Sequence, residues 1–181
     1  MDNLTNSIDQ VVEENALPHE WSKEVLAELK DLGVKNNKRD DLRKIPFVTI
    51  DGKDAKDFDD AVFCEANKDG FVLQVAIADV AEIVEPSSSI DKEALSRGTS
   101  IYFPKRVIPM LPEEISNNLC SLIPNEDRNV LVCKMNFTQE GEINSYDFSE
   151  SIINWLHRFP YREGDVFRRG AGGSVRVGRV G

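Results

Sequence analysis

Between Asp51 and Asp60 five of ten residues are aspartate, and β-prone apolar runs close the segment on both sides: Phe47-Val48-Thr49-Ile50 before it and Ala61-Val62-Phe63-Cys64 after it. Aspartate is a poor former of strand and helix interiors, so such a segment is expected as a loop joining two strands. Crowding carboxylates in this way is costly, because each raises its neighbours' pKa unless a cation sits among them. Hard divalent ions take such oxygen ligands: Mg²⁺ is typically held by one or two carboxylates together with water and substrate phosphates. Two ions about 3.5–4 Å apart can activate an attacking water and stabilise a leaving oxygen. Spacing alone leaves three readings open: a metal-dependent phosphodiester hydrolase, a Ca²⁺ loop and a solvated acidic turn. The EF-hand form of the Ca²⁺ loop is absent, since the third position counted from Asp51 is Lys53.

The rest of the chain frames this loop with short elements. Trp21, Val25, Leu29 and Leu32 recur at near-helical spacing and predict one amphipathic helix over Pro18–Leu32, stopped by Gly33. Val34–Lys44 is charged with mixed sign and reads as an exposed linker. After Pro46 the pattern turns to strands. Ala61–Cys64 and Phe71–Ile77 flank Asn67-Lys68-Asp69-Gly70, a hairpin signal. Ser89–Arg97 is a helix candidate, capped by Ser88 or Ser89 and stopped by Gly98. Thr99–Phe103 reads as a strand, and Pro112 opens a single helical turn over Glu113–Asn118. Asn129–Phe137 and Glu142–Ile153 form a second hairpin around Thr138–Gly141. The expected fold is α+β, a mostly antiparallel sheet with short helices. Three regions follow: an N-terminal helix and linker (1–44), the strand-rich body (45–154) and a Gly/Arg-rich tail (155–181).

Charge separates the tail from the body. The last 27 residues hold six of the 22 basic and two of the 32 acidic residues, so the tail carries +4 and the first 154 residues carry −14. Six of the 11 glycines also fall in the tail, which is expected to be disordered for want of apolar surface. A body this acidic does not read as a nonspecific nucleic-acid clamp, which needs basic surface to neutralise phosphates. Cys64, Cys120 and Cys133 show no ligand or disulfide spacing, and Cys120 and Cys133 sit in apolar contexts as small buried residues. His19 and His157 lack metal-ligand spacing. The N-terminus has no secretory pattern and no apolar run is long enough to span a bilayer, so a cytoplasmic, membrane-free protein is expected.

The acidic segment itself, Ile50-Asp51-Gly52-x-Asp54-Ala55-x-Asp57-Phe58-Asp59-Asp60-Ala61, closely resembles the start of the catalytic RNB domain of the ribonuclease II/ribonuclease R family. Further blocks resemble the family in the same order: Val75–Val80, Arg97–Pro104, Val107–Pro112 and Leu119-Cys120-Ser121-Leu122. The resemblance implies processive 3′→5′ hydrolysis of single-stranded RNA to nucleoside 5′-monophosphates with Mg²⁺, for which Mn²⁺ is an expected substitute; no preference for DNA is implied. Asp51, Asp57, Asp59 and Asp60 match the family's catalytic and metal-binding carboxylates, whereas Asp54 lies in the motif without being one of them. Asp51 and Asp60 are expected to touch metal most directly, and Asp59 to matter most for the chemistry. Tyr102 matches the aromatic that packs on the 3′-terminal nucleotide; a ring stacks on any base and so holds an end without selecting sequence. Phe103 is expected in the core. Arg97, Arg106 and Arg128 are open between phosphate contact and pairing with acids such as Asp91 or Asp127.

The resemblance has gaps. Ala81-Glu82-Ile83-Val84 stands where relatives usually show a Ser-His-Tyr-Val-like run. Relatives also carry N-terminal cold-shock-type domains, a longer RNB domain with an arginine-rich segment and a late glutamate, and a C-terminal OB-fold domain. None of these has a counterpart here, so the chain alone is expected to bind metal and to degrade RNA weakly or not at all. An inactive metal- or RNA-binding module, or a protein-interaction fragment, is the alternative.

Overall fold

The computed structural model describes residues 3–33, 38–52, 55–104, 106–154, 157–160, 165–169 and 175–179. In chain order the elements are α1 (Asn3–Glu14), α2 (Lys23–Glu28), β1 (Asp40–Asp41), β2 (Val48–Asp51), β3 (Asp60–Ala66), β4 (Gly70–Ala78), α3 (Val80–Ile83), α4 (Ser89–Arg97), β5 (Ile101–Phe103), β6 (Arg106–Ile108), β7 (Arg128–Thr138), β8 (Ile143–Ile153), β9 (His157–Pro160), β10 (Asp165–Arg169) and β11 (Val175–Arg179). They divide into two units, Met1–Lys35 with Val80–Leu119 and Asn36–Asp79 with Cys120–Gly181.

The second unit is built on a seven-stranded sheet in the order β1-β8-β7-β4-β3-β2-β9. Every pairing between β8 and β2 is antiparallel; only the outermost strands, β1 on β8 and β9 on β2, join in parallel. The α+β, mostly antiparallel architecture expected from the sequence is therefore what the chain forms. Strand alternation decides which side is covered. Along β4, Val72, Gln74, Ala76 and Ala78 are buried while Phe71 and Ile77 face out. Val130 and Val132 on β7, Ala61 on β3 and Ile153 on β8 join the buried side, with Phe47, Phe58 and Leu122 from the connecting segments. Each such fully buried aliphatic or aromatic side chain contributes roughly 1.5–3 kcal/mol.

Both hairpins form where the turn residues place them. Asp69 N–H donates to Asn67 Oδ1 at 2.9 Å and Asn67 N–H to the Gly70 carbonyl at 2.9 Å. Gly70 has φ +151°, and a Cβ there would run into the Phe137 carbonyl on β7, so glycine is required. At the other turn, Gly141 has φ +90° and donates to the Thr138 carbonyl at 3.2 Å.

In the first unit α4 has the caps its sequence announces: Ser88 Oγ accepts from Asp91 N–H at 3.1 Å, and Gly98 closes it with φ +73°. The Glu28 carboxylate accepts from Ser89 N–H at 2.8 Å, placing negative charge at the start of α4. Arg97 is sunk in this unit, 3.6 Å over the Trp21 ring, donating to Glu93 Oε1 and to the carbonyls of Pro109 and Glu20. A second cluster gathers Ile8 and Val12 of α1 with Ile108, and Leu17, Ile101 and Phe103 pack against it.

Several expectations need correction. The helix expected over Pro18–Leu32 is only α2, with a 3₁₀ turn at Leu29–Asp31, because Ser22 takes the cap by accepting from Val25 N–H at 3.3 Å. Helix α1 was not expected at all. The linker over 34–44 contains β1 and Arg39, whose side chain is 2% exposed against Asp79. The strand expected from Thr99 begins at Ile101, and the turn after Pro112 is π-helical over Ile115–Leu119. Among its described residues the Gly/Arg-rich tail holds β9, paired on β2, and the β10–β11 hairpin, in which Val166 meets Gly178 and Phe167 meets Val177. In β11, Val175 and Val177 alternate with Arg176 and Gly178, the two-residue period of a strand. Positions 155–156, 161–164, 170–174 and 180–181 of that tail lie outside the described residues.

Candidate active site

The acidic segment is the connection between β2 and β3, as its composition demands. Asp51 ends β2 and is half-buried; Asp57 is half-buried in the loop; Asp60 opens β3, exposed and paired across the ladder with Ile77. Asp54 lies outside the described residues. The backbone is fixed at several points. Ala55 N–H donates to the Gly52 carbonyl at 3.1 Å, and Ala78 N–H, at the end of β4, donates to the Asp59 carbonyl at 2.9 Å. Phe58 points into the core and so turns its neighbours Asp57 and Asp59 away from it.

The four aspartates act on one another. Although Asp59 is exposed as a residue, loss of solvent around its carboxyl raises its pKa first; the charges of Asp57, Asp60 and Asp51 raise it further, in that order. The structure thus brings Asp51, Asp57, Asp59 and Asp60 into one electrostatic neighbourhood. Among the described residues no three His, Cys, Asp or Glu side chains are gathered closely enough to hold an ion. In its chemistry the donor set, four carboxylates on one loop, fits a hard divalent cation.

Tyr102 belongs to the other unit, on the β5–β6 hairpin opposite Val107, and is 69% exposed. Its neighbour Phe103 packs against the Ile8–Val12–Ile108 cluster, as expected of a core residue. One strand thus presents an aromatic outward and buries the next.

The arginines resolve in favour of pairing with acids, though with other partners than expected. Arg97 pairs with Glu93 at 3.0 Å, Arg106 with Asp9 at 2.6 Å and Arg128 with Glu126 at 2.7 Å. Asp127 pairs instead with Arg43 at 3.0 Å, and Asp91 accepts from Ser87 N–H at 2.7 Å. Cys120 is buried and Cys133 half-buried, while Cys64 is exposed. His19 is exposed with Nδ1 3.1 Å from the Leu17 carbonyl oxygen, and the side chain of His157 lies outside the described residues.

Sequence reasoning attached no role to Ser121. It is wholly buried and bonded to the acidic loop; its place in the Leu119-Cys120-Ser121-Leu122 block, as a small polar residue between apolar ones, was the sign of it. Among the described residues no helix is long and apolar enough to cross a membrane.

Comparison with known proteins identifies the family. The RNB domain family matches residues 39–172, which continues past the boundary expected at 154. Ribonuclease R of Acidithiobacillus ferrooxidans is 50% identical over 162 residues, covering 86% of this chain and 37% of that protein. Mycoplasma genitalium RNase R in complex with ribose-methylated single-stranded RNA superposes with a TM-score of 0.82 at 37% identity, covering 88% of this chain and 26% of that one. The same protein in complex with double-stranded RNA gives a TM-score of 0.83 at 37% identity, covering 88% and 29%. The chain therefore spans between about a quarter and two-fifths of these relatives. With most of its length matched and the acidic loop, sheet and hairpins in place, the chain belongs to the RNB domain family, the family of those ribonucleases.

Proposed function

We propose that this chain is the carboxylate-bearing part of a Mg²⁺-dependent 3′→5′ exoribonuclease that hydrolyses single-stranded RNA to nucleoside 5′-monophosphates in the cytoplasm. The observation that supports it most is that the charges of Asp57, Asp60 and Asp51 all bear on Asp59, whose carboxyl has lost part of its solvent. A loop so arranged favours a cation, because a positive ion relieves both the repulsion and the cost of burial. Asp51 and Asp60 would hold the ion, with Asp57 and Asp59 completing the carboxylate set; Mn²⁺ would substitute. Bound there, the ion supplies a more acidic water and stabilises charge on the phosphate oxygens. Asp59, whose carboxyl pKa is raised by lost solvent and by its acidic neighbours, is the residue whose charge matters most for the reaction. Tyr102, exposed on its hairpin, stacks on the terminal base and holds the 3′ end without reading sequence.

A second reading, an inactive metal- or RNA-binding module, is favoured by one observation. Arg97, Arg106 and Arg128 are each committed to an acid, so none of the three is at liberty to stabilise charge developing at phosphorus. An end-labelled single-stranded RNA, incubated with Mg²⁺ or with EDTA and with wild type or Asp59→Asn, separates the two. Stepwise 3′ shortening that disappears in EDTA and in Asp59→Asn supports the nuclease. No shortening, with Mn²⁺ still bound in calorimetry, supports the binding module; full activity in Asp59→Asn would overturn the assigned role of Asp59.

A further inference from the structure

A loop of like charges cannot hold its shape through its own side chains, since those side chains repel. Its conformation must be imposed on the backbone from outside. Between Ala55 and Asp59 the chain has no regular secondary structure, yet it is fastened at three backbone groups, on Lys56 and Phe58, around Asp57. Ser121, wholly buried, donates its hydroxyl to the Lys56 carbonyl at 2.9 Å and accepts from the Phe58 N–H at 3.1 Å. Leu122 N–H donates to the Phe58 carbonyl at 2.9 Å. Behind them, Arg128 Nε donates to the Ser121 carbonyl at 2.7 Å, and its guanidinium is held in turn by Glu126 at 2.7 Å.

The Ser121 hydroxyl uses its single donor and an acceptor lone pair on two backbone groups that straddle Asp57. A residue that merely filled space at this position would need no hydroxyl, and one that merely satisfied a stray polar group would bond once. Resting on the metal-dependent reading above, we propose that Ser121 is a positioning residue for the divalent cation. Its hydroxyl fixes the Lys56–Phe58 backbone and thereby the directions in which Asp57 and Asp59 leave it. Arg128 acts one step further back, by holding the Ser121 carbonyl.

The test uses the full chain as wild type, Ser121→Ala, Asp59→Asn and Val132→Ala. Val132 is buried on β7 and supplies a variant that loses core packing without touching the loop's hydrogen bonds. Two quantities are measured: affinity for Mn²⁺ by calorimetry, and hydrogen exchange of the Phe58 amide. Losing both hydroxyl hydrogen bonds predicts that Ser121→Ala weakens Mn²⁺ binding by at least about threefold. The Phe58 amide should exchange faster by a similar or larger factor. Val132→Ala should leave Mn²⁺ affinity at the wild-type value despite its lower stability. Wild-type Mn²⁺ affinity in folded Ser121→Ala overturns the proposal and leaves the functional reading intact, as does an equal loss in Val132→Ala. Failure of wild type to bind Mn²⁺, indistinguishable from Asp59→Asn, overturns the functional reading and the proposal with it. Should Ser121→Ala not fold, Ser121→Cys, which keeps a side chain of similar size but bonds weakly, carries the same comparison.

Discussion

Arg39 and Asp79 are joined by a 2.6 Å contact between Nη2 and Oδ2, with side chains only 2% and 8% exposed. Burial makes such a pair a poor source of net stability, because desolvating two charges offsets most of their attraction; removing one partner, however, takes from the other buried charge its shortest contact. Asp79→Ala is therefore expected to cost about 3–5 kcal/mol in urea unfolding, whereas Arg39→Met with Asp79→Leu should recover most of that loss. Equal destabilisation of single and double variants would show that packing rather than charge dominates. Asp79 stood out in the sequence as part of an ordered block, but Arg39 did not. It lies in a run of mixed charges that has every mark of a solvated linker, and its burial depends on a partner 40 residues away. Ser121 also lay in an ordered block, but its bonds to Lys56 and Phe58, more than 60 residues away, were not visible there. The aspartates of the loop were legible because their number is anomalous locally, whereas a single serine or arginine is ordinary until the fold supplies its contacts.

Elements were legible where a local rule sets them. The hairpins at Asn67–Gly70 and Thr138–Gly141 and the caps of α4 follow from turn and capping chemistry that acts within four or five residues. Helix α1 escaped because its buried stripe is narrow, Ile8 and Val12, and its hydrophobic partners lie on β5 and β6. The strictness of the first hairpin can be measured. Gly70→Ala would drive a Cβ into the Phe137 carbonyl on the neighbouring strand, backbone against backbone, so the ladder itself must move. A loss of about 2 kcal/mol or more is expected in thermal unfolding, against a much smaller effect of Gly141→Ala, where no atom lies within 4 Å and only φ is unfavourable. Comparable losses at the two glycines would argue that φ alone governs both. A second junction is electrostatic. Arg43 donates to both carboxylate oxygens of Asp41 and to Asp127, and Asn154 donates to Asp127 at 2.8 Å. The Arg43 hydrogen bonds hold Asp41 well below the usual carboxylate range, and Asn154, then Arg43, lowers Asp127. Depressed carboxylate pKa values stabilise the fold above the unfolded value of roughly 4, and this contribution disappears as pH falls through the folded values. The Tm difference between wild type and Arg43→Gln should accordingly be largest near neutrality and shrink below about pH 4. Because the groups are exposed the difference is small, and it should fade in high salt. A difference that grows on acidification would have the wrong sign for this network.

At the scale of the molecule, the side of the sheet opposite the buried one presents apolar side chains to water, beside Asp60 and Glu150. Strand register puts Phe148 of β8 across from Cys133 of β7, Tyr146 across from Met135, and Leu131 across from Ile77 of β4. Alternation places all of them on one face with Phe71 and Ile50. Tyr146 and Phe148, 65% and 69% exposed, meet edge to face with ring centroids 5.7 Å apart. Scattered exposed apolar side chains are normal, but a contiguous face of them is a site of association. The opposing influence is charge. A net charge of −10 keeps copies apart, and that repulsion reaches about 10 Å at 0.1 M salt but only about 3 Å at 1 M. Hydrophobic attraction is not screened in this way. Sedimentation of the isolated chain should therefore show self-association that strengthens with salt, the reverse of what an electrostatic interface would give. Replacing Tyr146 and Phe148 together by serine should abolish it. Since both rings are mostly in water already, the same double change should lower stability by no more than about 1 kcal/mol, chiefly their mutual contact. Association that weakens with salt would place the contact on charged surface elsewhere, and a double variant that associates like wild type would remove β8 from the interface.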